Sequence, residues 1–228
     1  MTVFAFTVDG APLGFTADRL VIAGFTARNV DVLMQHIEEL AREGIPRPSS
    51  VPLFWDIPSS LLSVADTIEV GSAETSGEAE PVLVFAGGRV YLGLGSDHTD
   101  RGLERIGYQE AKQACSKVIS RQLWPYDVVA ARWDALTLRS WVQVDGGEWT
   151  AYQEASVNAM LPVDDLLARM QGDGSAPADG TVVFLGTPPL LTHGPVYADA
   201  YRLELHDGER ELALTVEYRV TVSPDGRR

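Results

Sequence analysis

Glu78, Glu80, Asp97, His98 and Lys117 bring three carboxylates, an imidazole and a lysine into sequence rich in apolar, strand-like runs. Glu78 and Glu80 flank Ala79 ahead of the run Pro81-Val82-Leu83-Val84-Phe85. Asp97 and His98 lie in Gly95-Ser96-Asp97-His98-Thr99-Asp100-Arg101, and Lys117 follows. A carboxylate in apolar surroundings is costly unless a cation, a metal ion or several hydrogen bonds compensate it. Oxygen ligands alone suit a hard divalent cation such as Mg2+, Mn2+ or Ca2+ better than zinc. Residues two apart on an extended segment share a face, so Glu78 and Glu80 can converge on one cation. An acidic loop rim is the other reading, because Glu is mostly exposed.

Ser96, Asp97, Thr99 and Asp100 are all good N-caps for a helix starting near Gly102, and four are more than one cap requires. Asp97 is therefore a candidate ligand, while His98 reads either as a structural histidine or as part of the site. Lys117, at the expected end of that helix, either faces the helix dipole or meets a substrate oxygen on which charge develops. Upstream, His36 and Glu39 stand three apart on a predicted helix and share a face. As a hydrogen-bonded dyad, the carboxylate would hold the imidazole tautomer and raise its basicity. An ordinary solvated helix face would carry the same residues. The sequence has no Gly-x-Gly-x-x-Gly, phosphate loop, Gly-x-Ser-x-Gly or zinc-spaced histidine pair.

The elements that must position these groups are short. Strands are predicted over residues 2–8, 20–25, 51–55, 82–85 and 90–94, with turns at Asp9-Gly10 and Gly87-Gly88. Asn29 is the expected cap of a helix from Val30 to Arg42, where Val30, Val32, Leu33, Ile37 and Leu40 recur at helical spacing. Residues 70–80 break the pattern. A second helix is predicted over 102–116, with Leu103, Ile106 and Ala114 on one side. The second half is β-rich, with strands over 136–144, 149–152, 181–185, 201–206 and 211–222. A helix over 162–170 carries Asp164 and Asp165 in its first turn, and a loop spans 172–180. Many short strands and few helices predict an α+β, β-dominated roll or barrel rather than a doubly wound parallel sheet.

The 228 residues suffice for one large domain with a substantial core. A net charge of −14 argues against a nucleic-acid partner, because binding the phosphate backbone rests on Lys and Arg. The single cysteine, Cys115, excludes an intrachain disulfide and reads as a small apolar residue. No apolar run approaches the roughly 18 residues that a bilayer span needs, so no membrane partner is expected. The first residues lack a basic segment followed by an apolar one, and a cytoplasmic address is expected.

In order and spacing, these pieces resemble the fumarylacetoacetate hydrolase superfamily over residues 20–220, and Ser96–Arg101 resembles an uncharacterised bacterial branch of the domain-of-unknown-function type. His36 and Glu39 match the family's His-x-x-Glu lid helix, Glu78-Ala79-Glu80-Pro81 its acidic strand, and Ser96–Arg101 its metal-binding turn. Lys117 stands at the family lysine's distance from the aspartate. Gln153…Met160 and the run Asp179–Pro188, with Gly186-Thr187-Pro188, complete the series. The resemblance implies a mixed, barrel-like catalytic β-roll over residues 59–228. Residues 1–58 would add a short N-terminal β-hairpin and the lid helix, all in one continuous unit.

It further implies a homodimer and a divalent cation, Mg2+ foremost and Mn2+ or Ca2+ otherwise, on Glu78, Glu80 and Asp97. The implied substrate is a small 2-oxo or 2,4-dioxo acid, whose C–C bond is hydrolysed or which is decarboxylated through a metal-stabilised enolate. Lys117 would share the developing charge. His36, oriented by Glu39, would activate water or move a proton, and His98, Arg101, Glu104, Gln153 and Thr187 would serve the substrate. The alternatives are a hydratase or isomerase acting on an unsaturated oxo acid, or a catalytically silent binding protein on the same scaffold. Four departures stand out: Ile57 replaces the family lysine of the 52–58 strand, Ser96 replaces an asparagine, His98 adds an imidazole beside the aspartate, and Glu104 replaces a glutamine.

Overall fold

The computed structural model describes residues 3–174 and 176–227, so Thr2 of the first predicted strand and Ser175 of the predicted 172–180 loop lie outside the described residues. In chain order the elements are β1 (Val3–Val8), β2 (Ala11–Thr16), β3 (Arg19–Gly24), α1 (Val30–Arg42), β4 (Leu53–Ile57), β5 (Leu62–Ser63), β6 (Thr67–Ser72) and β7 (Thr75–Ser76). The central pair β8 (Ala79–Ala86) and β9 (Arg89–Asp97) follows, then β10 (Thr99–Asp100), α2 (Tyr108–Gln113), β11 (Lys117–Ile119), β12 (Gln122–Pro125) and α3 (Tyr126–Val129). The chain closes with β13 (Thr137–Gln143), β14 (Thr150–Ser156), α4 (Val163–Gly172), β15 (Thr181–Phe184), β16 (Ala200–Asp207) and β17 (Leu212–Arg227).

The architecture is β-dominated, with a curled half-barrel sheet. Ten strands form that sheet in the order β2-β1-β12-β9-β8-β15-β3-β4, with β11 bridging β9 and β5. Five more form a second sheet in the order β14-β13-β16-β17-β6. Residues 1–58 thus supply β1 to β4 to the same sheet as strands from the rest of the chain. Both faces of the large sheet are apolar. Leu83, Leu92 and Leu94 pack with Leu138, Tyr152, Tyr201, Leu203 and Tyr218 of the second sheet. Val82, Val84 and Ile119 turn the other way, against Phe6, Leu20, Ile22 and Phe184. Strands buried on both sides read as continuous apolar runs, which is why 79–86 and 89–97 look alike in sequence.

The hairpin of β8 and β9 sets the position of everything at its open end. Gly87 and Gly88 both have positive φ, the two-residue turn whose twist suits antiparallel strands. With Ala86 opposite Arg89, the register runs through Val82–Gly93 and Glu80–Gly95 to Ala79–Ser96. The Asp97 N–H then reaches the Glu78 carbonyl at 2.9 Å. On the other side of β9, Lys117 of β11 lies opposite Asp97. Side chains two apart, or directly opposite, share a face. Glu78, Glu80, Asp97 and Lys117 are therefore carried to one face by pairing alone.

Local expectations hold for α1, whose Asn29 side chain accepts from the N–H groups of Asp31 and Val32. The strand expected over 51–55 is β4, shifted two residues onward, and the segment 70–80 holds the end of β6 and β7. The helix expected over 102–116 does not form as one piece. A 3-10 turn over Leu103–Arg105 is capped by Asp100 Oδ1 at the Leu103 N–H, and the short α2 begins only after an extended Gly107. Ile106, expected on the buried side, is 71% exposed, and Lys117 sits in a strand rather than at a helix end. Tertiary pairing of β11 with β9 and β5 overrides the helical pattern there.

The register also depends on the small residue at position 95, on the same face as Asp97. A Cβ on Gly95 would meet Phe184 Cε1 at 2.6 Å, the Val118 carbonyl at 2.8 Å and Val82 Cγ2 at 2.8 Å. At Gly71, in the exposed part of β6, an added Cβ meets nothing within 4 Å. Gly95→Ala is expected to destabilise the protein by about 1–3 kcal/mol through overpacking, and Gly71→Ala by less than about 0.5 kcal/mol. Urea denaturation midpoints compare the two; equal shifts would contradict the packing described.

Candidate metal centre

Glu78, Glu80 and Asp97 each offer a carboxylate oxygen, and these three atoms lie within 4.8 Å of one another. Glu80 is 2% and Asp97 0% exposed, and Glu78 is partly covered. The triad closes one end of the apolar face built by Val82, Val84, Ile119 and Phe184.

Two lysines meet Asp97, one at each oxygen. Lys117 Nζ lies 2.8 Å from Oδ1 and also donates to the His98 carbonyl; Lys112 Nζ, from α2, donates to Oδ2. Burial opposes the charge on Asp97, but Lys112 and Lys117 outweigh it and hold the carboxyl below its ordinary range. Burial lowers the Lys117 ammonium, which Asp97 only partly restores. For Lys112 the attraction of Asp97, Glu78 and Glu80 overcomes burial and raises it. Lys112 belongs to none of the motifs that single out the other site residues. A signal was present, because the chain holds sixteen arginines and two lysines, and both lysines are these.

Glu80 has no such partner. Its Oε2 accepts from the Gly186 N–H at 2.8 Å, and no ion pair among the described residues neutralises it. Burial, and then the neighbouring Asp97, push its carboxyl well above the ordinary carboxylate range. Three converging oxygen donors, one of them a buried carboxylate lacking its own counter-charge, fit a hard divalent cation. Gly186 is required where it stands. Its φ is +97°, and a Cβ there would lie 1.9 Å from Thr26 Oγ1.

Arg101 lies 3.0 Å from Glu78 Oε1, donates to Glu104 Oε1 at 2.8 Å and to Ser76 Oγ at 2.6 Å. Burial, set against Arg101, raises the Glu104 carboxyl. Ala79, between the two glutamates, is clipped on both sides. Its N–H donates to Gln153 Oε1 at 3.0 Å, and its carbonyl accepts from Thr187 Oγ1 at 2.9 Å. Gln153 Nε2 in turn donates to Thr187 Oγ1 and to the Pro188 carbonyl. Gln153 and Thr187 thus hold the Glu-x-Glu strand against the Gly-Thr-Pro turn.

His98 follows Asp97 and points to the opposite face. Its Nδ1 is 2.9 Å from the Tyr218 hydroxyl and its Nε2 2.9 Å from Thr75 Oγ1, between the two sheets. Burial, with Lys117 and Arg101 nearby, lowers its pKa to about 3, so the ring is neutral and both nitrogens are engaged within the protein. His36 is exposed on α1, and no hydrogen bond joins it to Glu39 among the described residues; Glu39 instead accepts from Gln35 Nε2 at 2.9 Å. The structure brings together the triad, Lys117, Arg101 and Glu104. It does not join His36 to Glu39.

Removing the clip tests its role. Gln153→Ala leaves the Ala79 N–H and the Ser140 hydroxyl, which also donates to Oε1 at 2.9 Å, without an acceptor in a buried setting. A loss of about 2–4 kcal/mol in unfolding free energy is expected, read by urea denaturation. A change under about 0.5 kcal/mol, the range of ordinary surface substitutions, would contradict the clip.

Comparison with solved structures shows the fold of the fumarylacetoacetate hydrolase superfamily. The chain is similar to 2-keto-3-deoxy-D-arabinonate dehydratase complexed with magnesium and 2,5-dioxopentanoate, with TM-score 0.65, 15% identity, and 93% of this chain and 74% of that chain covered. A hexagonal crystal form of 2-keto-3-deoxyarabinonate dehydratase matches with TM-score 0.65 at 15% identity over 91% of this chain and 75% of that one. A third match is 4-oxalocrotonate decarboxylase from Pseudomonas putida G7, complexed with calcium and acetate, with TM-score 0.52, 14% identity and coverage of 88% and 76%. No curated protein matches the sequence. The family model described as "Protein of unknown function (DUF2848)" matches residues 23–218, and the chain belongs to that family.

Proposed function

We propose that this protein is a divalent-metal-dependent enzyme that cleaves or decarboxylates a small 2-oxo or 2,4-dioxo acid. The observation that carries this reading is the buried triad, with Glu80 short of a counter-charge and Asp97 held ionised by two lysines. Glu78, Glu80 and Asp97 would hold the cation, Mg2+ foremost, with Mn2+ or Ca2+ as the alternatives. The similar solved structures named with magnesium or calcium support that choice. Such a cation supplies positive charge that the oxo and carboxylate oxygens of a 2-oxo acid can chelate and that favours electron flow toward the oxo oxygen.

Within this reading Lys117 adds a second positive charge where negative charge develops. It is fully buried, so water does not screen it. Arg101 holds Glu78 and Glu104 in place, and Glu104 faces the substrate. Thr187 and Gln153 position the acidic strand, with the half-buried Thr187 also within reach of the substrate carboxylate. His98 acts from the opposite face, fixing the turn that follows Asp97. His36 and Glu39 would transfer the proton or activate water once α1 brings them over the triad and Glu39 exchanges Gln35 for His36. The exposure of His36 favours a second reading, a dehydratase or hydratase whose proton transfer uses another group. No helix among the described residues is long and apolar enough to cross a membrane. A cytoplasmic homodimer is part of the proposal, and the exposed Val30 and Met34, one turn apart on α1, offer an apolar contact.

Metal-linked stability tests the site. Mg2+ or Mn2+ at about one hundred times its dissociation constant should add about 2.7 kcal/mol to the unfolding free energy, because a ligand bound only to the native state stabilises it. Asp97→Asn and Glu80→Gln should each abolish that gain. A gain that survives either substitution would place the metal elsewhere. A panel of 2-oxo and 2,4-dioxo acids with Mg2+ and Mn2+ then distinguishes cleavage, decarboxylation and hydration by product. His36→Ala should lower the turnover on the responding acid by about two to four orders of magnitude, the range of a general acid–base group. Unchanged turnover would assign proton transfer to another residue.

A further inference from the structure

Lys112 is bound to a group that the proposed cation also requires. Its ammonium donates to Asp97 Oδ2, the other oxygen of that carboxylate being held by Lys117. The side chain is 9% exposed and comes from the six-residue α2, not from the sheet. Lys112 Nζ also lies 5.3 Å from the centroid of the Trp55 ring, within the reach of a cation–π contact. Trp55 belongs to a half-buried aromatic group, with Phe25 and Tyr108 at centroid distances of 5.3–6.3 Å. Gly24 makes room for it, because a Cβ there would fall 2.4 Å from Trp55. Lys112 therefore has two partners, a carboxylate on one side and an aromatic face on the other. It can leave the first without being left unpartnered.

The charges point the same way. With every carboxylate ionised, Glu78, Glu80, Asp97 and Glu104 stand against Arg101, Lys112 and Lys117, four carboxylates and three cations. A divalent cation turns this excess of one negative charge into an excess of one positive charge. One monoanionic ligand then balances it, whereas a dianion would overshoot. In a buried site, where like charges a few ångströms apart interact strongly, such a balance discriminates between ligands.

We infer that Lys112 is a displaceable counter-cation: it holds Asp97 in the metal-free protein, yields Oδ2 when a divalent cation binds, and then receives the carboxylate of a monoanionic 2-oxo acid against Trp55. This assignment rests on the proposed metal reading. It makes Lys112 a residue that tunes both metal affinity and substrate charge.

Titration of Mn2+ into wild type, Lys112→Met and Lys112→Arg by calorimetry, with water-proton relaxation as the second readout, tests the first half. Lys112→Met should bind Mn2+ about tenfold more tightly than wild type, because a competing like charge is gone. Lys112→Arg should bind it more weakly, because a guanidinium holds a carboxylate by two bonds. In the Mn2+-loaded protein, 2-oxobutyrate should bind wild type about tenfold more tightly than Lys112→Met, and more tightly than the dianion 2-oxoglutarate binds wild type. Unchanged or weaker Mn2+ binding in Lys112→Met overturns displacement, and a preference for 2-oxoglutarate overturns the charge selection. If Lys112→Met does not fold, Lys112→Arg decides: equal or tighter Mn2+ binding overturns the inference. Failure of the underlying reading looks different, since wild type and every Lys112 variant would then bind no Mn2+ at all, and the inference would fall with it.

Discussion

Asp97 is a fully buried carboxylate in a sheet that is apolar on both faces, and it stays charged because a lysine meets each of its oxygens. A single lysine would leave one oxygen bare. A buried polar atom left without its partner typically costs about 1–3 kcal/mol. Lys117 reaches Asp97 by strand pairing, while Lys112 arrives from a helix packed beyond the strand end. The arrangement of the region follows from bringing both to one carboxylate. The helical pattern over 102–116 is interrupted at Gly107, which leaves Lys112 on a short helix beside Asp97 and Lys117 on a strand opposite it.

Around that centre the structure separates charge from packing by strand alternation. Odd positions of β9 carry Gly93, Gly95 and Asp97 to the face with Val82 and Val84. Even positions carry Leu94 and Ser96 to the core between the sheets. His98 continues the even series and ends among Tyr218, Tyr201 and Thr75. An imidazole adjacent in sequence to a candidate ligand is thus, in space, on the far side of the sheet. The same period of two explains why Ala79 can be clipped by Gln153 and Thr187 while its neighbours Glu78 and Glu80 stay free for the other face.

The parts of the site that sequence revealed are those joined by short-range geometry. A Glu-x-Glu on an extended segment, a two-glycine turn and an aspartate at the matching distance along the return strand fix the triad, because hairpin register is set locally. The Asn29 cap and the apolar spacing of α1 were legible for the same reason. What was misread had a competing local explanation. Ser96, Asp97, Thr99 and Asp100 all look like caps, yet only Asp100 caps, and it caps a 3-10 turn. Gln153 and Thr187 also bond to each other and to Ala79, which no pattern within either segment could show.

By itself, the sequence determined the chemistry on offer: three oxygen donors for a hard cation, a lysine further along the chain, and a β-dominated chain able to bury them. It determined the face as well, since alternation along a strand needs no tertiary information. Only the tertiary structure decided which cations stabilise Asp97, that Glu80 lacks one of its own, and that His98 is taken up by the second sheet. It also set Lys112 between Asp97 and the Trp55 ring. The physical reason is sequence separation. Charges and aromatic rings act through space over a few ångströms, and Trp55, Asp97 and Lys112 become neighbours only when β4, β9 and α2 converge.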